Sequence, residues 1–259
     1  MAIKKSTEEE IEKHSQELLE KEISKELEGK TPREIDKYMK EKEKLKNEIA
    51  SWVPKTKLGK EVKTKKIKDI DEILDSKRKI LETEIVDSLL NLKSDLLSIG
   101  QSKGKFGGGK RRAWRQTQRK TKEGNVPTFS TMAVVGDEKG HVGIGDGSAT
   151  ETLPARSKAV RKAKLNIIKV TRGDGGFDSM GGGKASIPFK VEGKAGSVRI
   201  TLFPAAPGTG LVTGEEVKKI LRLAGIQDIY SRTEGRKRTT FNLAKATMNA
   251  LEKTNGEKK

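Results

Sequence analysis

The chain has no cysteine and only two histidines. Without cysteine, disulfide bonds and thiolate metal sites are excluded. His14 and His141 lie far apart in sequence, and no carboxylate pair, Ser/His/Asp set or metal-ligand spacing accompanies them. His141 follows a turn glycine and reads as a hairpin residue rather than a catalytic base. We therefore expect no catalytic residue, no metal and no cofactor, and a protein that is not an enzyme.

Aromatic residues and long hydrophobic runs are also scarce. Phe, Trp and Tyr together make up 4% of the 259 residues. No stretch approaches the roughly 20 apolar residues that a membrane-spanning helix requires. The beginning of the chain, MAIKKSTEEE, lacks the apolar centre of a signal peptide. We expect a soluble, intracellular protein.

What the chain has in excess is positive charge in one region. Residues 1–100 contain 23 basic and 23 acidic residues, whereas residues 101–259 contain 32 and 14, which accounts for the net charge of +18. Single-sign fields of this size normally serve binding or steering. The second region is therefore expected to contact phosphate.

The densest basic stretch runs from Gln101 to Lys122 and contains no acid. Buried unpaired cations are costly, whereas each phosphate neutralised by Lys or Arg releases counterions. The stretch therefore predicts nucleic-acid binding, with Trp114 able to stack on an exposed base. The predicted contacts are Lys103, Lys105, Lys110, Arg111, Arg112, Trp114, Arg115, Arg119, Lys120 and Lys122.

Two further basic groups are candidates for phosphate contact. A helix opened by Pro154 and running to about Val170 carries six cations and no acid from Arg156 to Lys169; of these we predict RNA contact for Arg156, Lys158, Arg161 and Lys162. The second group consists of Arg232, Arg236, Lys237 and Arg238. For this group a solvated loop and a phosphate contact remain equally open.

The glycine-rich motifs are weak indicators of nucleotide binding. Gly143, Gly145 and Gly147 lack the spacing of a dinucleotide fingerprint. A tight turn is favoured there, and a close approach of the backbone to RNA is a further alternative. Gly208, Gly210 and Gly214 likewise indicate a structural turn. No P-loop motif occurs, which excludes an ATPase of that type.

Hydrophobic patterning and turn residues indicate an α+β protein. Residues 7–50 suggest helices that order against a partner, because they have little to bury alone. The expected elements that follow are a mostly helical Ile67–Leu97, a strand Phe129–Val135, a turn Asp137–Gly140, a strand from Val142 and a helix Pro154–Val170. A glycine-rich break at Thr171–Lys184 separates these elements from a second group. The second group consists of strands Ile187–Val191 and Val198–Phe203, a helix Leu211–Ala224, a strand Ile226–Tyr230 and a helix Phe241–Leu251.

A series of collinear motifs from Leu92 to Leu251 resembles the universal small-subunit ribosomal protein S5 family in its archaeal and eukaryotic form. The motifs are AVVGD at Ala133–Asp137, GHVGIG at Gly140–Gly145, KAKLNII at Lys162–Ile168, IPFKV at Ile187–Val191, GSVR at Gly196–Arg199, LAGI at Leu223–Ile226 and NLAKAT at Asn242–Thr247. Trp52–Gly59 and Glu84–Asp87 are similar to the extension of archaeal and eukaryotic members.

The resemblance implies a double-stranded-RNA-binding-like domain at 91–170, a connector at 171–184 and a C-terminal α+β domain at 185–259. A helical extension at 1–90 precedes them, with a linker near 52–60. It also implies a cytoplasmic ribosomal location, small-subunit rRNA binding, neighbours of the S3 and S4 families, a place beside the channel through which mRNA enters, and an influence on decoding accuracy. The rRNA-contacting basic loop of the family matches Arg119, Lys120 and Lys122.

Two features depart from the family pattern. Gly147 is followed by Ser148 where many relatives have Lys. A basic insertion spans 101–118, and we hypothesise that Gln101–Trp114 is a disordered arm that reaches rRNA, or else contacts incoming mRNA. The alternative functions are a free-standing double-stranded-RNA-binding protein or RNA chaperone, and an enzyme of the small-molecule kinase group that shares only fold architecture.

Overall fold

The computed structural model describes residues 49–76, 78–101, 111–174 and 184–256, with the single positions 43 and 47. The chain divides into two compact units, Met1–Trp52 and Val53–Lys259. In the first unit, residues 49–51 are helical. Most of the helical extension predicted over residues 7–50 lies outside the described residues.

The second unit begins with short helices and continues into an antiparallel sheet. The helices are α1 (Lys57–Lys63), α2 (Ile70–Asp75) and α3 (Thr83–Leu89). The first sheet contains β1 (Lys93–Leu96), β2 (Trp114–Thr121), β3 (Gly124–Gly136), β4 (His141–Ala149) and β5 (Ile167–Lys169). Its order is β1-β3-β4-β5, and β2 pairs with the part of β3 that β1 leaves open.

A second sheet and two helices complete the unit. The strands are β6 (Val191–Ala195), β7 (Val198–Pro204), β8 (Leu211–Val212) and β9 (Ile229–Glu234), in the order β6-β7-β9-β8. Helix α4 (Thr152–Leu165) lies between β4 and β5 in the chain, and the two helices that follow β8 and β9 are α5 (Glu215–Leu223) and α6 (Thr240–Glu252). Only the β8–β9 pairing is parallel among the strand pairs of the described residues. The mixed α+β architecture expected from the sequence is confirmed.

Helix α4 (Thr152–Leu165) covers one face of the first sheet, and the glycines of β4 explain how. A Cβ placed on Gly143, Gly145 or Gly147 would collide with the α4 backbone at Ala155, Ala159 or Ala163. These alanines are completely buried. The expected tight turn is therefore wrong for these glycines, since they lie inside a strand. Their role is close helix–sheet packing, which supports neither a phosphate cradle nor RNA contact.

One hydrophobic core joins the opposite face of the first sheet to the second sheet. Met132 and Val134 of β3 belong to the same buried cluster as Ile200 and Leu251. Polar contacts reinforce the junction at α5. Glu216 accepts a 2.8 Å hydrogen bond from the Ser98 amide, and the Lys219 ammonium donates to the Leu96 carbonyl at 2.9 Å.

Helices α2 and α3 pack against the first sheet and α4 through ion pairs as well as through buried apolar side chains. Ile73, Ile85 and Val86 are at most 1% exposed. Asp87 of α3 pairs with Lys164 of α4 at 2.7 Å. Asp71 of α2 pairs with the His141 imidazole at 2.8 Å. His141 thus has the structural hairpin role expected from its position, with the added function of holding α2.

Several predicted boundaries need correction because tertiary pairing overrides local pattern. Ile67–Leu97 holds two short helices and β1 rather than a mostly helical stretch. Helix α4 ends at Leu165, and Ile167–Lys169 joins the sheet as β5. Strand β6 begins at Val191, four residues later than expected. In the expected helix Leu211–Ala224, the first residues form β8.

The turn predictions agree better with the structure. Asp137–Gly140 connects β3 and β4 as expected, with Gly140 at a φ of +124°. Gly208 and Gly210 also have positive φ, so the structural turn favoured there is confirmed. The last helix was expected at Phe241–Leu251, and α6 differs by one residue at each end. Of the break at Thr171–Lys184, residues 175–183 lie outside the described ranges.

Candidate nucleic-acid interface

Strands β2 and β3 extend beyond the first sheet as a two-stranded ribbon. Strand β4 pairs with β3 only from Phe129 onward, so the β3 residues before it pair with β2 alone. Arg119 and Lys120 lie opposite Val126 and Asn125, and Lys122 is in the turn. All three cations are exposed. Within the described ranges none of them pairs with a carboxylate.

Strand alternation divides the β2 side chains between two faces. Trp114 lies opposite Thr131, on the α4 side of the sheet, together with Gln116, Gln118 and Lys120. Arg115 lies opposite Ser130, on the side that faces the second sheet, together with Arg119. The ribbon therefore carries positive charge on both faces, which suits contact with a polyanion that surrounds it.

Trp114 has a partner within the protein. It is half-buried, and the Arg156 guanidinium lies 5.6 Å from the ring centroid, within the range of a cation–π interaction. The Arg156 Nε is buried and has no hydrogen-bond partner among the described residues. Trp114 therefore has a packing partner within the protein, although its position in a basic, glycine-rich stretch gives no sign of one. Base stacking by this residue stays a prediction.

The cations of α4 and β5 fall into two groups that the sequence did not distinguish. Lys162, Lys164 and Lys169 lie near carboxylates, at 3.8 Å from Asp146, 2.7 Å from Asp87 and 3.1 Å from Asp71. Arg156, Lys158 and Arg161 form no ion pair with any carboxylate that the structure describes. Within the second group, Arg156 contacts the Trp114 ring, whereas Lys158 and Arg161 are exposed on α4.

The remaining predicted contacts lie at the start of β2 or outside the described residues. Lys103, Lys105 and Lys110 fall within the undescribed stretch 102–110. Arg111, Arg112 and Arg115 are exposed. The Gly100 amide donates a 2.9 Å hydrogen bond to the Arg112 carbonyl. Trp114 begins a regular strand, so it belongs to the sheet and not to the expected disordered arm.

The arginine group near the end of the chain also separates into two. Arg232 pairs with Glu234 at 3.1 Å. Arg236 and Arg238 instead line a pocket together with Arg111 and Arg115. Sequence reasoning did not connect these two pairs of arginines, because more than a hundred residues separate them along the chain. Gly235 marks the turn that carries the second pair, but no local feature of the sequence indicates that this turn lies near Arg111 and Arg115.

Other classes of site find little support in the part of the chain that is described. There, no group of three or more His, Cys, Asp or Glu side chains could hold a metal ion. No described helix has the length and apolar character needed to cross a membrane. The candidate functional site is the described basic surface, because it carries exposed cations without a described carboxylate partner.

Comparison with known protein families gives two matches that together cover much of the second unit. Residues 112–171 match the family model "Ribosomal protein S5, N-terminal domain", and residues 193–258 match "Ribosomal protein S5, C-terminal domain". Among similar proteins is the small ribosomal subunit protein uS5 of Nanoarchaeum equitans, which is 48% identical over 206 residues, covering 79% of this chain and 88% of the relative.

Two other relatives have the same name. The protein of Thermofilum pendens is 47% identical over 204 residues, covering 78% of this chain and 94% of the relative. That of Methanoregula boonei is 44% identical over 209 residues, covering 80% and 95%. These relatives are named as ribosomal proteins and not as enzymes. Since the similarity extends over nearly the whole length of each relative, the chain belongs to the ribosomal protein S5 family.

Proposed function

We propose that this chain is a structural constituent of the small ribosomal subunit in the cytoplasm and that it binds the rRNA of that subunit. The observation that supports this most directly is the ribbon of β2 and β3. Its far end carries Arg119, Lys120 and Lys122 in exposed positions. Cations without a carboxylate partner are free to exchange water and counterions for phosphate.

The shape of the ribbon indicates how it would contact RNA. Side chains cannot read the deep, narrow major groove of A-form RNA, so double-stranded RNA is recognised mainly by shape and through phosphates and 2′-hydroxyls. Arg and Lys at the end of a narrow ribbon suit such backbone contacts. These contacts position a protein on RNA without selecting a base sequence.

A second contact surface is proposed on α4. The chain order β2-β3-β4-α4 supports a double-stranded-RNA-binding-like domain at 91–170, followed by a connector at 171–184 and a C-terminal domain at 185–259. Arg156, Lys158 and Arg161 are the cations on α4 that remain without a described carboxylate partner. We assign them to rRNA contact, whereas Lys162 has an acidic neighbour in Asp146.

The family resemblance supports a further proposal about location within the subunit. Neighbours of the S3 and S4 families, a place beside the channel through which mRNA enters, and an influence on decoding accuracy would follow from the position of S5 proteins. Hydroxyl-radical footprinting of small subunits that contain this chain would test the location. Protection confined to rRNA far from that channel would contradict it.

The decisive experiment compares two triple variants that remove the same charge. R119Q/K120Q/K122Q alters the ribbon, and R78Q/K190Q/R232Q alters exposed cations that are paired with carboxylates at 2.9, 3.1 and 3.1 Å. Binding to protein-free small-subunit rRNA is measured over a range of salt concentrations. For the ribbon variant the log–log salt slope should decrease by about 0.7–0.9 for each phosphate that the protein no longer neutralises. Equal decreases in both variants would refute a specific role of the ribbon.

Fractionation distinguishes the proposal from a free RNA-binding protein or RNA chaperone. A constituent of the ribosome should be present in a one-to-one ratio with small subunits on a sucrose gradient and should withstand a salt wash. Migration at the top of the gradient would instead support the free RNA-binding protein.

A further inference from the structure

An open pocket with a volume of about 570 Å³ lies where the start of β2 approaches the N-terminus of α6. Four arginines line it, namely Arg111, Arg115, Arg236 and Arg238. All four are exposed, and none is paired with a carboxylate within the described parts of the chain. Like charges at one pocket repel each other unless an anion lies between them.

The first wall of the pocket is held in place by Gly100. Its amide donates a hydrogen bond to the Arg112 carbonyl, and a Cβ at this position would collide with the carbonyl oxygen of Trp114. Glycine is therefore needed for the backbone of Ile99–Gln101 to lie directly against the start of β2. This close approach places Arg111 and Arg115 at the pocket.

The second wall is a tight turn between β9 and α6. Gly235 has a φ of +82°, and a Cβ on it would collide with the Ser197 carbonyl oxygen. The Thr239 amide donates to the Arg236 carbonyl at 3.1 Å, and the Thr240 amide donates to the Arg238 carbonyl at the same distance. The turn is thus stabilised by its own backbone, and it presents its arginines without help from acidic side chains.

Helix α6 adds a further attraction for an anion. It is 13 residues long, its first turn has no acidic residue, and its N-cap Thr239 makes no side-chain capping bond. Thr239 and Phe241 line the pocket, so the positive end of the helix dipole lies at the same place as the four guanidinium groups. Guanidinium groups bind phosphate oxygens in bidentate geometry, which compact ammonium groups do not.

We propose that this four-arginine pocket binds a phosphate group of the rRNA backbone and thereby attaches both sheets to one RNA segment. The inference rests on the proposed function. It adds a specific site at the junction of the sheets, away from the ribbon tip. With a volume of about 570 Å³ the pocket has room for a phosphate together with its ribose, and Phe241 is among the residues that line it.

The face of β2 on which the pocket lies favours RNA over an acidic protein segment. Arg115 and Arg119 are four residues apart on the same face of β2, or about 13 Å at 3.3 Å per residue. A single RNA strand that leaves the pocket along this face of β2 would therefore reach the cations of the ribbon. An acidic peptide would not need this continuation, since the pocket alone could neutralise its carboxylates.

The test uses the full-length chain and three variants. R236Q/R238Q removes one wall, R236K/R238K keeps the charge but removes the bidentate geometry, and K190Q/R232Q removes the same charge from ion-paired positions. Binding to protein-free small-subunit rRNA is measured against salt concentration. Circular dichroism and thermal unfolding check that each variant is folded. We expect the salt slope of R236Q/R238Q to decrease by about 0.7–0.9 for each phosphate that the pocket no longer neutralises.

The remaining variants should behave differently. R236K/R238K should keep the slope of the wild type but bind more weakly, and K190Q/R232Q should match the wild type in both respects. Identical slopes for R236Q/R238Q and K190Q/R232Q, with the ribbon variant still impaired, would overturn the pocket inference and leave the proposed function intact. Reduced retention on small subunits without any change in rRNA binding would also overturn it, in favour of an acidic protein segment.

A titration with tripolyphosphate tests the chemistry of the pocket independently of rRNA. The ligand should raise the melting temperature of the wild type more than that of R236Q/R238Q. Equal shifts would overturn the phosphate assignment. Failure of the wild type to bind rRNA at all would refute the proposed function, and with it the RNA source of the phosphate.

Discussion

The guanidinium carbon of Arg156 lies 5.6 Å from the centroid of the Trp114 ring. This interaction joins the first turns of α4 to the start of β2, at the edge of the sheet from which the ribbon extends. It gives Trp114 a structural role in the isolated protein. Trp114 thereby helps to fix the position of Arg156, and both residues are among the predicted RNA contacts.

Replacing Arg156 should therefore perturb Trp114 before any RNA is present. Arg156→Gln removes the cation–π interaction, and we expect a decrease of about 0.5–2 kcal/mol in the free energy of unfolding. The loss of this contact should also change the fluorescence emission of Trp114. Because Trp114 and Trp52 are the only tryptophans, the emission is measured in a Trp52→Phe background, where it comes from Trp114 alone. Lys158→Gln is the control, because among the described residues Lys158 donates only to the Ser148 carbonyl, at 3.4 Å. Unchanged emission in Arg156→Gln would contradict the interaction.

The position of His141 between Asp71 and Asp137 predicts a pH-dependent stability. Both ring nitrogens face carboxylate oxygens, Nδ1 at 2.6 Å from Asp137 and Nε2 at 2.8 Å from Asp71. Burial disfavours the charged imidazole, but hydrogen bonds to Asp137 and Asp71 outweigh burial and raise the pKa of His141 above 6.5. Burial likewise opposes ionisation of Asp71 and Asp137, yet bonding to His141 lowers the pKa of each below 3.8.

The direction of these shifts defines the pH range in which the ion pairs stabilise the fold. The contribution of His141 is complete below pH 6.5 and disappears as the pH rises through its raised folded-state pKa. The contribution of the carboxylates is complete above pH 3.8 and disappears as the pH falls through their lowered pKa values. We expect His141→Gln to destabilise the protein more at pH 6 than at pH 9, measured by urea unfolding. A difference that does not change with pH would contradict the ion pairs.

The glycines of β4 predict a large effect from a very small substitution. Gly145→Ala introduces a methyl group where α4 backbone atoms already lie. We expect this overpacking to lower the free energy of unfolding by about 1–3 kcal/mol. Gly256→Ala is a suitable control. A Cβ there would meet the Lys253 carbonyl at an ordinary 3.4 Å, and its φ of −78° suits any residue. Equal melting temperatures for the two variants would refute tight helix–sheet packing.

The ion pair of Lys164 and Asp87 should behave as a coupled unit. The two side chains are 18% and 15% exposed and lie 2.7 Å apart. Removing one partner leaves the other charge largely desolvated, so Lys164→Met or Asp87→Asn alone should cost about 1–3 kcal/mol. The double variant should be destabilised by less than the sum of the two. Strict additivity in this double-mutant cycle would show that the pair does not interact.

Local sequence signals anticipated those features that depend on neighbouring residues. The turn at Asp137–Gly140 and the helix over Thr240–Glu252 could be predicted because turn residues and helical periodicity act over a few positions. The nine basic residues of Gln101–Lys122 indicated a polyanion on charge alone. The collinear motifs were sufficient to indicate the family.

The candidate site could be predicted only in part, since charge compensation depends on residues that are distant in sequence. Lys164 looked like one of six equivalent cations, but a carboxylate 77 positions earlier pairs with it. For Arg236 a solvated loop and a phosphate contact were equally open, and the structure places this loop residue at a pocket together with the start of β2. Neither the ion pair nor the pocket has a local sequence signal, because each depends on how close two distant segments of the chain come in the fold.

The amino-acid sequence was sufficient to identify the α+β class, the S5 family and the concentration of positive charge after residue 100. Those properties follow from composition, short-range periodicity and motif order, which require no folding. Three features became visible only in the folded chain: which described cations lack a carboxylate partner, the packing of Gly143–Gly147 against a helix, and the contact of His141 with α2. Each of these depends on which surfaces the hydrophobic core brings together, because burial of Met132, Ile200 and Leu251 in one cluster sets the positions of the polar groups around it.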